Sequence, residues 1–140
     1  VVDYIPVFVP GRTITLTASG AIVSGDLVVV SGSGTVAKCA VASAPNWIGV
    51  AGKDAAINAG VVVYGRGTVH ESVADGTVTA GDQVVTSATT GRQVKTLLVS
   101  ALAASPTGAQ VSADINAARA VLGVALTTAT DGLKVRWMEF

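Results

Sequence analysis

Residues able to do chemistry are few in this chain. Among 140 residues there is one histidine, His70, and one cysteine, Cys39. His70 stands next to Glu71 and near Ser72 and Asp75, so a nucleophile, a base and a carboxylate occur close together. A hydrolytic triad is a matter of geometry, with side chains converging on one point. Here the trio merely bounds a strand and a turn, and a solvated strand end is the plainer reading of His70. A zinc centre needs three or four ligands, and one His with one distant Cys makes no such set. Cys39 has no partner for an intramolecular disulfide. It lies in the apolar stretch from Val36 to Val41 and reads as a small buried hydrophobe.

Two Gly-Asp pairs, Gly25-Asp26 and Gly81-Asp82, could bring two carboxylates to acid–base work. Their matched surroundings point instead to twin turns in which each Asp side chain accepts hydrogen bonds from backbone amides. The strings Gly32-Ser33-Gly34 and Gly65-Arg66-Gly67 precede no helix whose N-terminus could hold a phosphate, and they read as turn glycines. The sequence thus offers no catalytic residue, no metal ligand set and no cofactor motif, and the expectation is a protein that is not an enzyme.

The elements that would carry these residues are strands. Half of the chain is hydrophobic but only 4% is aromatic, and the apolar mass is mainly Val and Ala. Val and Thr are branched at Cβ and favour the pleated surface of a sheet. The 16 glycines are spread along the chain, as turns between short strands require. Nine basic residues balance nine acidic ones, and neither half concentrates either sign. Such a balance speaks against nucleic acid and against anionic lipid as partners. It also gives little colloidal repulsion, which favours life in an assembly. No segment approaches the roughly 20 apolar residues that span a bilayer. The opening Val1-Val2-Asp3-Tyr4 lacks the basic region of a signal peptide, and the expectation is a cytoplasmic origin, with a processed N-terminus as the alternative.

A degenerate repeat organises the chain. Gly20 to Val29 matches Gly76 to Val85 at a constant offset of 56, each copy containing a Gly-Asp pair followed closely by Val-Val. Ile48-Gly49-Val50-Ala51 then echoes in Leu122-Gly123-Val124-Ala125, where the offset has grown to 74. The second copy therefore carries an insertion, placed at 99–119. Last strands are expected over Val61–Val69 and Leu133–Met138. Alternation is clear in Arg12 to Thr17, with Ile14 and Leu16 apolar, and in Leu133 to Trp137, with Leu133, Val135 and Trp137 on the buried face. About ten short strands with turn signals between them predict an all-β fold, a compact β-barrel or β-sandwich of two similar halves packed together. Within the insertion, Ser112–Val121 reads as one short helix, with Ser112 as cap and Ile115, Ala118 and Val121 on one face. The expected organisation is an arm at 1–11 and a single β domain at 12–140, its halves running about 12–69 and 70–138.

The arm is the most telling exposed feature. Pro6 and Pro10 exclude a helix and a central strand, leaving an extended segment. Seven of its first nine side chains are large and apolar, which makes a free arm an aggregation hazard unless it docks. The arm must dock on its own barrel as an ordinary first strand, on a neighbouring subunit or on another protein, and for the last two Val2, Tyr4, Ile5, Val7 and Phe8 are the candidate contacts. Trp137 and Phe140 form a second candidate patch, since aromatics dominate interface energetics.

Several pieces occur in order: Tyr4-Ile5-Pro6, Gly11-Arg12, Val23-Ser24-Gly25-Asp26-Leu27-Val28, Ile48-Gly49-Val50-Ala51, and Val61-Val62-Val63-Tyr64 leading into Gly65-Arg66-Gly67. This order resembles the cement, or decoration, proteins of bacteriophage capsids, across most of the chain apart from the insertion. The resemblance implies a β domain on the outer surface of the virion that oligomerises, often as a homotrimer, and bridges subunits of the major capsid protein. It brings no catalytic residue and no cofactor. A carbohydrate- or surface-binding β-sandwich module is the alternative, with Trp47, Trp137, Tyr4 and Tyr64 as its available aromatics. A small β-barrel enzyme using Asp26 or Asp82 is a third.

Overall fold

The computed structural model describes residues 3–5, 13–98 and 105–140. Its strands are β1 (Thr13–Ala18), β2 (Leu27–Gly32), β3 (Thr35–Lys38), β4 (Trp47–Ala51) and β5 (Gly60–Tyr64), then β6 (Val69–Ala74), β7 (Gln83–Thr86), β8 (Gln93–Thr96), β9 (Gly123–Ala125) and β10 (Lys134–Glu139). One helix, α1 (Gly108–Arg119), joins β8 to β9. The fold is all-β and built from two similar halves, as expected. Each half, however, closes its own five-stranded barrel: β1-β3-β2-β4-β5, and β6-β8-β7-β9-β10. The two orders are the same, including the parallel pairs β1 with β3 and β6 with β8.

Hydrogen bonds explain why the repeat keeps its motifs. Asp26 Oδ2 accepts from the Val23 amide at 2.8 Å, and Asp82 Oδ2 from the Thr79 amide at 2.9 Å. Gly25 and Gly81 precede them at φ of 86° and 95°, a left-handed backbone that glycine adopts without a Cβ penalty. Their amides bond to Ala51 O and Ala125 O, both at 2.8 Å, which ties each turn to the Gly-Val-Ala strand of its own barrel. The glycine of that strand is needed for room. A Cβ at Gly49 would collide with the Tyr64 carbonyl, and one at Gly123 with the Met138 carbonyl. Isolated bridges Ile22–Ala55 and Val78–Ala129 complete the parallel between the halves.

Barrel one is filled by Ala18, Ile22, Val28, Val36, Val61 and Val63. A second cluster crosses between barrels: Leu27, Cys39, Ala44 and Val50 of the first pack with Val84, Val94, Leu122 and Trp137 of the second. Cys39 is thus the buried hydrophobe its setting suggested. Polar atoms stitch the same seam. The Leu27 amide donates to Gly91 O at 2.7 Å, and the Thr86 hydroxyl donates to Val41 O while accepting from the Ala44 amide.

Three local expectations are corrected. The strand expected over Val61–Val69 ends at Tyr64, and Gly65 to Thr68 form a short link between the barrels. Leu133 is 60% exposed rather than on the buried face, because it precedes β10 in the turn at Thr130–Leu133. The helix starts at Gly108, upstream of Ser112, since Thr107 and Gln110 form a capping box that satisfies two amides at once. None of its residues is buried, so the face bearing Ile115 and Ala118 is not covered by the described chain.

Candidate functional site at the barrel seam

The link from Gly65 to Thr68 sets β5 of one barrel beside β6 of the other, and the described part of the arm lies across this junction. The Tyr4 amide donates to Gly52 O in barrel one at 2.6 Å. Its ring meets Tyr64 edge-on, with centroids 6.3 Å apart, and stacks on His70 of barrel two at 6.0 Å. Its hydroxyl lies 3.1 Å from His70 Nδ1 and accepts from the Glu71 amide at 3.3 Å. One side chain therefore fastens the arm to both barrels.

His70 is not a solvated strand end. It is fully buried, 4.9 Å from the Trp137 ring and 3.1 Å from Glu139 Oε2. The strand registers show why the sequence misled. His70 pairs with Trp137 as Ile14 pairs with Val63, so His70 occupies an aliphatic position of the repeat, and Ser72 occupies that of Leu16. The larger Trp137 in place of Val63 is accommodated by the smaller Ser72, whose Oγ accepts from Trp137 Nε1 at 3.0 Å. Comparing β1 with β6 position by position is the signal that would have revealed the buried histidine.

Burial governs the electrostatics here. It depresses the His70 pKa to about 4 and lifts that of Glu139 to about 8, with Arg66 opposing the latter rise. Near neutral pH both groups are uncharged, so the 3.1 Å contact is a hydrogen bond between neutral partners and not an ion pair. The Tyr4 hydroxyl, which accepts from the Glu71 amide, is within hydrogen-bond distance of His70 Nδ1, and the imidazole tautomer sets which atom donates there and at Glu139. Burial also pushes Tyr4 up to about 12. With no exposed surface, His70 has no route to a substrate, and the cluster works as a structural bolt.

On the Glu71 side of the bolt the charges are paired. Glu71 is held below the ordinary carboxylate range, first by the Lys134 hydrogen bond at 2.9 Å and also by Arg136 at 3.3 Å. Arg92 reaches across the seam to Asp26 at 3.0 Å. A shallow depression of about 310 Å³ beside Tyr4 is walled by these neutralised groups.

With its two barrels and seam, the chain can be set beside solved structures. Its fold resembles that of a phage head-fiber base. The match is to the head fiber gp8.5 N base in bacteriophage phi29, with a TM-score of 0.57 and 18% identity over 92% of this chain and 93% of that one. At that identity the likeness is one of fold. No family model matches the chain, and no curated protein does.

The expected contact residues fare unequally. Tyr4 has its ring and hydroxyl committed to the chain's own seam, whereas Ile5 next to it is 76% exposed. Val2, Val7 and Phe8 lie outside the described residues. Trp137 lies in the core, as the alternation of its strand predicted, and so is no exposed contact, while Phe140 stays 53% exposed. Trp47 and Tyr64 are only partly exposed, so among the described residues no open Trp or Tyr platform for a sugar ring is formed. Asp26 and Asp82 stand in equivalent turns of different barrels and are occupied by backbone amides.

Proposed function

We propose that this chain is a non-enzymatic structural protein of a phage virion, made in the host cytoplasm and bound to the outer surface of the capsid. There it bridges neighbouring subunits of the major capsid protein. The observation that carries this reading is the likeness of fold, over almost the whole of both chains, to a protein described as the base of a phage head fiber. The arm supports it. Tyr4 fixes the described part of the arm to the seam and leaves Ile5 beside it 76% exposed, and Val2, Val7 and Phe8, apolar in sequence, are the other contacts we assign to the arm. An extended segment of this kind binds by lying along, or adding a strand to, the neighbouring protein. Association of the chain as a homotrimer would present three arms together, and the gain in effective concentration would turn weak single contacts into firm retention.

The test is co-sedimentation of the purified protein with capsid shells that lack it, counted as copies per shell. The wild type should saturate at a multiple of the three-fold positions of the lattice. V7D/F8D should lose at least tenfold in occupancy while its thermal unfolding stays unchanged, because the Tyr4 anchor is intact. Shells that take up the variant as well as the wild type, or neither protein at all, would overturn the proposal.

A further inference from the structure

A second depression opens beside the seam and shares no wall with the one at the arm. It holds about 300 Å³ and is bounded by Trp47, Arg66, Arg119, Glu139 and Phe140. These residues come from separate parts of the fold. Trp47 opens β4, Arg66 lies on the link between the barrels, Arg119 ends α1, and Glu139 and Phe140 lie at the end of β10. The helix that carries Arg119 is the one element with no buried residue.

Charge sets this cleft apart. In the depression at the arm, Arg92 and Lys134 each have a carboxylate partner. Among the described residues neither Arg66 nor Arg119 makes an ion pair within 4 Å, although Arg66 is near enough to Glu139 to oppose the rise of its pKa. The cleft's one acidic side chain, Glu139, has its Oε2 on His70 and keeps its proton near neutral pH. Two guanidinium groups therefore line one hollow with no local anion to pair them. A guanidinium presents a planar fork of donors that matches a carboxylate. The remaining walls are apolar: Trp47, partly exposed, and Phe140, 53% exposed, together with Pro45, Ile48 and Val121. A bare inorganic anion would satisfy the arginines and leave this apolar surface in water.

We propose that the cleft docks an acidic, partly apolar peptide segment of another protein, with Arg66 and Arg119 taking its carboxylates and Trp47 and Phe140 receiving an apolar side chain. This goes beyond the virion reading, because the cleft is separate from the arm and its chemistry is legible without knowing where the protein resides.

The experiment titrates the full chain with a blocked five-residue peptide of alternating Glu and Leu, followed by NMR at the two indole N–H groups. Saturable shifts at Trp47 are expected, with Trp137 unmoved because it is buried on Ser72. R66Q/R119Q should weaken binding at least tenfold, and R66K/R119K should recover part of the loss. Both arginines are exposed, so unchanged thermal unfolding confirms that the variants are folded. No shift at Trp47, equal binding by R66Q/R119Q, or equal binding of a Gln-for-Glu peptide would overturn the proposal. So would phosphate or glucuronate binding as tightly as the peptide, since the site would then read a bare anion or an acidic sugar. A protein that decorates shells but ignores the peptide loses this site and keeps the virion reading; the converse result does the opposite.

Discussion

Replacing Glu139 by Gln tests the neutral bolt at the seam, because it keeps the shape of the side chain and removes its ionisation. In the unfolded chain the Glu139 carboxyl loses its proton near its ordinary value of 4.5, whereas the folded chain retains it up to about 8. Between those values the unfolded state binds fewer protons, so stability falls as pH rises, by about 1.4 kcal/mol per unit at most. His70 works the other way. Unfolded it is protonated below 6.5, folded only below about 4, so stability rises with pH across that interval. The two slopes cancel between about 4.5 and 6.5, and from 6.5 to 8 only the Glu139 slope remains. That remainder is on the order of 2 kcal/mol. For a domain of this length it corresponds to a fall in Tm of about 6–10 °C. Thermal unfolding followed by circular dichroism from pH 5.5 to 9 should show this decline in the wild type. E139Q should lack it, matching the wild type only near pH 4.5 and exceeding it by a margin that widens up to about pH 8. Were the contact an ion pair, the variant would be the less stable protein at pH 8, and that result would refute the reasoning.

Tyr4→Phe removes the acceptor of the Glu71 amide and the hydrogen-bond partner of His70 Nδ1, and should cost about 1–2 kcal/mol by thermal unfolding. Gly123→Ala drives a methyl group into the Met138 backbone carbonyl and should cost more than about 3 kcal/mol in urea unfolding, with Gly49→Ala behaving alike in the other barrel. Leu27→Ala empties a fully buried position between the barrels and should cost about 2–5 kcal/mol. If that position joins the barrels, urea should then unfold them in two resolved steps; a single transition of unchanged midpoint would contradict the seam.

Much of the fold was legible because its rules are local. Asp26 and Asp82 accept from amides three residues upstream, within reach of a reading along the chain. The offsets of 56 and 74 placed the insertion and its helix for the same reason. Alternation does not say which strands close on which, so one shared barrel and two separate ones read alike until β5 is seen to pair with β1. His70 was misread because what covers it is remote: Tyr4 lies 66 positions away and Glu139 lies 69 away. Polar residues at aliphatic positions of the repeat were the available clue. Arg66 and Arg119 carried no such clue, since only the folded chain brings them to one cleft.

The exchange of one residue between the two barrels makes their mating faces unlike. Leu27 on β2 is buried against the second barrel, and its counterpart on β7 is Gln83, which is exposed. Had the copies stayed identical, each would carry both the mating face and its receptor, and head-to-tail addition could run on as an open filament. A glutamine at that position withholds the apolar knob from any third barrel. The two barrels therefore meet through unlike faces, and the surface around Gln83 does not repeat the apolar contact that Leu27 makes.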